Sequence, residues 1–247
     1  MKLNQFFQEN PKAALAFSGG VDSAYLLYAG LAAGAEIRPF YLKTAFQPAF
    51  ELEDARRLCR ELGAELTVIE LDVLALPEVA ENPANRCYYC KKALFGTLWR
   101  QAHEAGFELL IDGTNASDDA GDRPGMKALA ELSVRSPLRE SGLTKAEIRR
   151  LSREAGLFTW DKPAYACLAT RVPAGKPLTR DILSRVEGAE AALGALGFRD
   201  FRVRVFEGAA RLQMSASQLA LALETREEIL AALKPYFEVA LLDMAAR

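Results

Sequence analysis

Histidine occurs once in this 247-residue chain, tryptophan twice and cysteine four times. The single His103 excludes any site that needs two imidazoles, and a Ser-His-Asp triad or a Cys-His pair would have to be built on it alone. It sits in LWRQAHEAGFELL, on the polar side of a helical pattern, and reads as a solvated helix residue. Long apolar runs are missing too: none approaches the ~18 residues that span a bilayer. The opening MKLNQFFQENPKAA lacks the apolar stretch and small-residue cleavage site of a secretory signal. Neither charge sign dominates. With 31 Lys and Arg against 33 Asp and Glu, and a pI near 5.7, the chain lacks the basic balance of a dedicated nucleic-acid binder. Few cysteines and no secretory signal fit a reducing compartment, where thiols stay free or bind metal. The expectation is a cytoplasmic globular protein away from membranes.

Half of the residues are hydrophobic, enough for a buried core in one large or two smaller domains. The first part alternates strand-like and helix-like runs: AALAFSGG, VDSAYLLYAGLAAGA, EIRPFYLKTA, FELEDARRLCRELG, AELTVIELD, KKALFGTLWRQAHEAG and FELLIDGTN. This alternation predicts βαβ units and an α/β fold, a parallel doubly wound sheet covered on both faces. Ligands of such sheets bind beyond the carboxyl ends of the strands. SGGVDS, KTA with Thr44, and DGTN with Gly113 and Thr114 are therefore expected to face one crevice. Thr144 and Glu147 form a capping box that opens a helix, and Gly156 ends it. After VPAGKP the pattern changes to helix, two strands, helix, strand. A boundary near Gly175 follows, with residues 1–175 as the larger domain and 176–247 as a small α+β domain for oligomerisation or substrate.

AFSGGVDSAYLL joins a strand to a helix through glycines. Gly19 and Gly20 let the backbone approach a phosphate, the turn's N–H groups and the positive helix end favour an anion, and Ser18 and Ser23 add hydroxyls. The lysine of a Walker A loop is absent, so the site suits holding a pyrophosphate better than transferring a γ-phosphoryl group. A lone Gly-Gly would read as an ordinary turn. The full string Ser18-Gly19-Gly20-Val21-Asp22-Ser23 resembles the signature of the PP-loop ATP pyrophosphatases. That resemblance implies cleavage of ATP to AMP and pyrophosphate through an adenylated substrate, with Mg²⁺ neutralising the departing pyrophosphate. Past DGTN, Asp118, Asp119 and Asp122 cluster beside Arg123 in a long charged loop, which reads as metal and substrate positioning. Asp119 by itself reads as a solvating charge.

Cys59 shares a helix face with Leu52, Ala55 and Leu62 and reads as core packing. Cys87 and Cys90 form a Cys-x-x-Cys pair in NPANRCYYCKKALF. Cys167 lies in the loop-like DKPAYACLATRVPAG, where Arg171 and Lys162 favour a thiolate. Four readings stay open on these residues. A dithiol of thioredoxin type leaves Cys167 unexplained. A structural zinc lacks its fourth ligand unless a carboxylate or His103 supplies it. Three unrelated buried thiols are the plain alternative. Three thiolates on an iron–sulfur cluster would leave one iron open.

SGGVDS, CYYCKK, DGTNASDDAGDRPG, SPLRESGLTKAEIRRLSREAGL, DKPAYACLATRVPAG and FRVRV together resemble the LarE family over nearly the whole chain. These are ATP-dependent sulfur transferases of nickel-pincer-nucleotide cofactor synthesis. The resemblance implies that carboxylates of pyridinium-3,5-biscarboxylic acid mononucleotide are adenylated and become thiocarboxylates. Some members have one cysteine, matching Cys167, and sacrifice its sulfur. Members with three imply a [4Fe-4S] cluster on Cys87, Cys90 and Cys167 that carries a non-core sulfide, its donor unassigned. Asp22, Cys167 and Arg171 become the catalytic candidates, and Arg171, Lys91 and Arg123 candidates for substrate charge. Arg202 and Arg204 share one strand face, which suits a phosphate, a subunit interface of an expected homo-oligomer, or a solvated face. Rival readings are a tRNA 2-thiolation enzyme, an amide-forming PP-loop ligase using ammonia, and a non-enzymatic nucleotide- or zinc-binding module.

Overall fold

The computed structural model describes residues 2–118, 124–163 and 165–247, with backbone alone for 124–126. In chain order its elements begin with α1 (Leu3–Glu9), β1 (Lys12–Ala16), α2 (Val21–Ala32), β2 (Glu36–Lys43), α3 (Ala49–Leu62) and β3 (Thr67–Glu70). Next come α4 (Pro77–Ala80), α5 (Arg86–Glu104), β4 (Leu110–Asp112), α6 (Pro124–Glu131), α7 (Pro137–Glu140) and α8 (Lys145–Glu154). The last are α9 (Arg180–Ala195), β5 (Arg202–Phe206), β6 (Ala209–Gln213), α10 (Ala216–Glu224), α11 (Arg226–Leu233) and β7 (Ala240–Leu242). Two compact units result, residues 1–73 with 85–164 and residues 74–84 with 165–247. No helix among the described residues is long and apolar enough to cross a membrane.

A four-stranded parallel sheet in the order β3-β2-β1-β4 carries the first unit. β1 pairs with β2 from Lys12↔Glu36 to Ala16↔Phe40 and with β4 from Ala14↔Leu110 to Ala16↔Asp112. Successive residues point to opposite faces, and both faces are buried. Ala13, Leu15, Ile37, Tyr41 and Ile111 pack with Phe6, Leu26, Leu58 and Ile148 from the helices on one side. Ala14, Phe40, Leu42 and Leu110 pack with Leu98, Ala102 and Phe107 on the other. This is the doubly wound α/β arrangement that the alternating runs predict. β1 has β2 on one flank and β4 on the other, so the order reverses there, and the loops leaving β1 and β4 bound the crevice typical of such sheets.

Local signals explain where the helices stop and start. The Thr144 hydroxyl accepts from the Glu147 N–H while the Glu147 carboxylate accepts from the Thr144 N–H, so the expected capping box is present. Gly156 follows α8 at φ +70, and the Leu157 N–H reaches the Ser152 carbonyl at 3.0 Å. Helix α5 begins at Arg86, earlier than the run from Lys91 that the sequence suggests. Cys87 and Cys90 therefore lie one turn apart at its start.

In the second unit the strands run β5-β6-β7, with β5 and β6 antiparallel and β6 and β7 parallel. The hairpin turns through Glu207 (φ +48) and Gly208 (φ +85), the positive pair of a two-residue loop. The helical pattern after Gln213 divides into α10 and α11 at Thr225, whose hydroxyl donates to the Leu221 carbonyl. Residues 74–84 belong here because Asn82, 2 % exposed, donates through Nδ2 to Pro173 and Lys176 carbonyls at 2.9 and 3.0 Å. The Gly175 N–H returns a bond to the Asn82 carbonyl at 2.8 Å. Gly175, the expected boundary, thus falls inside this unit.

Candidate active site

The loop between β1 and α2 is shaped by one glycine. Gly19 has φ +70, and a Cβ there would meet the Glu51 carbonyl oxygen at 3.2 Å and the Ala55 Cβ at 3.3 Å on α3. Only glycine fits both the left-handed backbone and the close approach. The Ser18 and Ser23 hydroxyls lie 3.0 Å apart, the Ser23 hydroxyl donates to the Gly20 carbonyl at 3.2 Å, and the Gly20 N–H donates to the Ser18 hydroxyl at 3.4 Å. Gly20 caps α2, and Val21 and Asp22 open it, so unpaired N–H groups and the positive helix end converge on the loop.

Charge at this loop comes from distant segments. Lys145, the first residue of α8, places Nζ 2.5 Å from Asp22 Oδ2, and the Lys145 backbone N–H donates to the Ser117 hydroxyl. Lys162 Nζ lies 2.7 Å from Asp54 Oδ2 and 3.4 Å from the Gly19 carbonyl. Arg149 fixes that lysine's backbone by donating to the carbonyls of Trp160 and Lys162, both at 2.7 Å. Burial raises the Asp22 carboxyl above its ordinary value, and Lys145 pulls it partly back. The second carboxylate oxygen, Oδ1, is buried with no hydrogen-bond partner. A buried carboxylate oxygen left over beside an anion-binding loop has the chemistry of a ligand to a hard cation such as Mg²⁺.

The other strand ends complete the crevice. A Cβ on Gly113 would lie 2.9 Å from the Ser23 backbone nitrogen, so β4 delivers its turn directly against the start of α2. Thr114 is turned inward: its N–H and hydroxyl donate to Asp112 at 3.2 and 2.6 Å, and Ser136 donates to the same carboxylate at 2.7 Å. Thr44 is buried, with its N–H and hydroxyl both donating to Gln47 Oε1. Beside Ser18 opens a cleft walled by Phe17, Phe40, Leu42, Leu94, Phe95 and Leu98, with Gln47 also in its lining.

The cysteines divide between the units. Cys87 is exposed and Cys90 buried on α5, with Lys91 next to them, and Arg86 Nη2 lies 3.7 Å from Cys87 Sγ. Cys59 is 2 % exposed in the first core, and burial pushes its thiol up to about 12. Cys167 is half-buried in the second unit. Among the described residues no three His, Cys, Asp or Glu side chains gather as a metal site. Arg171 is 1 % exposed, and its guanidinium is engaged on every side. Nε and Nη2 donate to Glu190 at 2.7 and 3.2 Å, and Nη1 donates to the Ala166 carbonyl and the Thr170 hydroxyl at 3.0 and 2.9 Å. Glu190 also accepts from Tyr165 and, at 2.9 Å, from the Val203 N–H. Arg204 Nη1 donates to the Thr170 carbonyl at 2.6 Å, and Arg202 stacks 5.3 Å over the Tyr165 ring. Burial, followed by repulsion from Arg171, lowers both Arg202 and Arg204.

The structure thus brings Ser18 to Ser23, Gly113 and Thr114 to one crevice, and groups Arg171, Arg202 and Arg204 near the Cys167 loop. Asp119, Asp122 and Arg123 lie outside the described residues. Sequence reasoning missed Lys145 and assigned Lys162 to the Cys167 thiolate, whereas its Nζ lies at Asp54 and the Gly19 carbonyl. The signal was present: a phosphate loop without its own lysine needs positive charge from elsewhere. It also missed Glu190, an acid on the buried face of α9 with Leu183, Val186 and Leu193.

No family model matches the chain. It is 39 % identical to an uncharacterized protein of Synechocystis sp. over 88 % of this chain and 81 % of that protein. It is 32 % identical to the pyridinium-3,5-bisthiocarboxylic acid mononucleotide synthase of Lactiplantibacillus plantarum, covering 84 % of this chain and 76 % of the synthase. The tRNA-specific 2-thiouridylase MnmA of Thermotoga petrophila is 27 % identical over 61 % of this chain and 54 % of its own length.

Proposed function

The chain belongs to the LarE family of PP-loop sulfur transferases, and from that premise we propose that it adenylates and then thiolates pyridinium-3,5-biscarboxylic acid mononucleotide in the cytoplasm, with ATP and Mg²⁺. One observation carries the reading: the lysine-less phosphate loop is flanked by Lys145 and Lys162 and holds the buried, unpartnered Asp22 Oδ1.

ATP lies with its triphosphate on Ser18 to Ser23 and its base in the apolar cleft beside Ser18. A substrate carboxylate oxygen attacks the α-phosphorus, the α–β bridging bond breaks, and pyrophosphate leaves. The loop N–H groups, Lys145 and Lys162 meet the negative charge that grows on it. Asp22 Oδ1 fits a Mg²⁺, which when bound neutralises the pyrophosphate. The resulting acyl-adenylate turns an unreactive carboxylate into an electrophile. A sulfide adds to the acyl carbon, AMP departs with the carboxylate oxygen, and a thiocarboxylate remains. A second round gives the bis-thiocarboxylate for which the L. plantarum relative is named.

Cys87, Cys90 and Cys167 fit a [4Fe-4S] cluster by donor chemistry, three thiols in a chain with one histidine. Bound there, the cluster would supply sulfur at the sulfide level. Arg171 and Glu190 hold the Cys167 loop, while Arg202 and Arg204 give the second unit a positive field for the mononucleotide phosphate. Lys91 and Arg123 remain charge partners for the substrate. Exposed Leu221, Leu223, Leu230 and Val239 support a homo-oligomer.

Pyrophosphate release tests this reading. It is expected with the dicarboxylate mononucleotide and absent with bulk tRNA. ATP-dependent thionucleosides in tRNA would instead make the chain a tRNA thiolase. Ammonia-dependent amide formation that survives replacement of all three candidate cysteines would make it a ligase.

A further inference from the structure

We propose that Gln47 reads the nucleobase, its side-chain N–H donating to ring nitrogen N1 of adenine and so selecting ATP over GTP. The inference rests on the nucleotide reading of the phosphate loop and adds a specificity-determining residue to it.

The amide orientation follows from its partners. Oε1 accepts from the Thr44 backbone N–H at 2.9 Å and from the Thr44 hydroxyl at 2.7 Å. A backbone N–H can only donate, so the atom facing it is the oxygen. The Thr44 hydroxyl in turn accepts from the Phe46 N–H at 3.0 Å, and Lys43 Nζ donates to the Gln47 carbonyl at 2.5 Å. These bonds lock the loop after β2 around one rotamer. Nε2 is turned away from Thr44, and no acceptor for it is found among the described residues.

Gln47 lines the cleft beside Ser18, whose other side chains are almost wholly apolar. A purine entering from the phosphate loop meets the ends of β1 and β2 on one side and α5 on the other. The amide is a donor in the lining of that slot. Adenine presents N1 as an acceptor and matches it; guanine presents N1–H, so two donors would face each other with neither satisfied. Leaving a buried polar group unpaired weakens binding by roughly 10- to 100-fold. Sequence patterns do not reveal this, because Gln47 sits in an ordinary turn, TAFQPA.

The test is calorimetric titration of the full chain and of Q47E with the Mg²⁺ complexes of ATP, 1-deaza-ATP and GTP. Glutamate keeps the oxygen that Thr44 needs, so the loop closes as before, and an unchanged unfolding temperature checks this. The wild-type chain is expected to bind ATP about 10- to 100-fold more tightly than 1-deaza-ATP or GTP. Q47E, whose free carboxylate oxygen faces the N1 lone pair, is expected to bind ATP no more tightly than 1-deaza-ATP and to lose the preference over GTP. A Q47E chain that keeps the full ATP to 1-deaza-ATP ratio overturns the inference, and so does equal weakening of all three nucleotides, which is charge repulsion alone. A wild-type chain that binds neither ATP nor GTP overturns the nucleotide reading itself.

Discussion

Replacing Glu190 with glutamine removes a buried negative charge that faces three arginines. Glu190 is 6 % exposed and accepts from Arg171 Nε at 2.7 Å, Arg171 Nη2 at 3.2 Å, the Val203 N–H at 2.9 Å and the Tyr165 hydroxyl. Arg171 is held out of water entirely, so Glu190→Gln leaves its charge buried and uncompensated while Arg202 and Arg204 add repulsion. Breaking a buried pair by removing one partner costs about 3–5 kcal/mol. Nε and the Val203 N–H both bond Oε1, so glutamine's remaining oxygen keeps these two and loses the Oε2 bonds to Nη2 and Tyr165, which places the loss near the lower end, about 3 kcal/mol. For a chain of this size each kcal/mol lowers the unfolding temperature by about 2–4 °C, so the fall is about 6–12 °C. Circular dichroism melting measures it. Iodoacetamide labelling of Cys167 supplies the second readout, because Arg171 Nη1 also holds the Ala166 carbonyl at 3.0 Å beside that cysteine. Faster labelling is expected as the loop loosens. A shift below about 2 °C with unchanged labelling would refute the clamp.

Three further outcomes follow from the first unit. Lys145→Met removes the cation that lowers the Asp22 carboxyl, so that group rises further above its ordinary value. The metal-holding form is the carboxylate, so the acid limb of kcat/KM moves to higher pH in the variant; a limb that stays or moves down contradicts the assignment. Because the folded-state value is raised, the stability contributed by neutral Asp22 is present below its unfolded value and lost as pH rises through the folded one, and a urea-stability profile against pH should show that direction. Gly113→Ala puts a Cβ 2.9 Å from the Ser23 nitrogen and 3.2 Å from its Cα, backbone atoms that cannot swing aside. A stability loss of about 1–3 kcal/mol with weaker ATP binding is expected, whereas Gly96→Ala, with nothing within 4 Å, should lose neither. Cys59, pushed up to about 12 by burial, should resist alkylation in the native chain at pH 8 while Cys87 reacts, as peptide mass spectrometry would show.

The parallel sheet was legible because both of its faces are covered, so β1 and β2 appear as short apolar runs between helical periods. The capping box and Gly156 made α8 legible residue by residue. The phosphate loop was readable for the same reason: its glycine, hydroxyls and acid are contiguous. What was not readable is what comes from far along the chain. Lys145 is 123 residues from its partner Asp22, and Lys162 is 143 residues from Gly19. Glu190 hid in a helix whose pattern treats it as one more polar residue, although it occupies the buried face. The split at Thr225 was invisible because the apolar period runs on through it. Residues 74–84 join the second unit through the hydrogen bonds of a buried asparagine and of the Ala80 carbonyl, which leave no periodic trace.

The central claim is that sulfur enters an ATP-activated carboxylate and that Cys167 is needed for it. Mass spectrometry of pyridinium-3,5-biscarboxylic acid mononucleotide incubated anaerobically with Mg²⁺-ATP and the chain, wild type beside Cys167→Ser, tests it most directly. The wild type is expected to exchange carboxylate oxygen for sulfur, strictly dependent on ATP, and Cys167→Ser to exchange none while still releasing pyrophosphate. Sulfur transfer that persists in Cys167→Ser, or that proceeds without ATP, would contradict the claim.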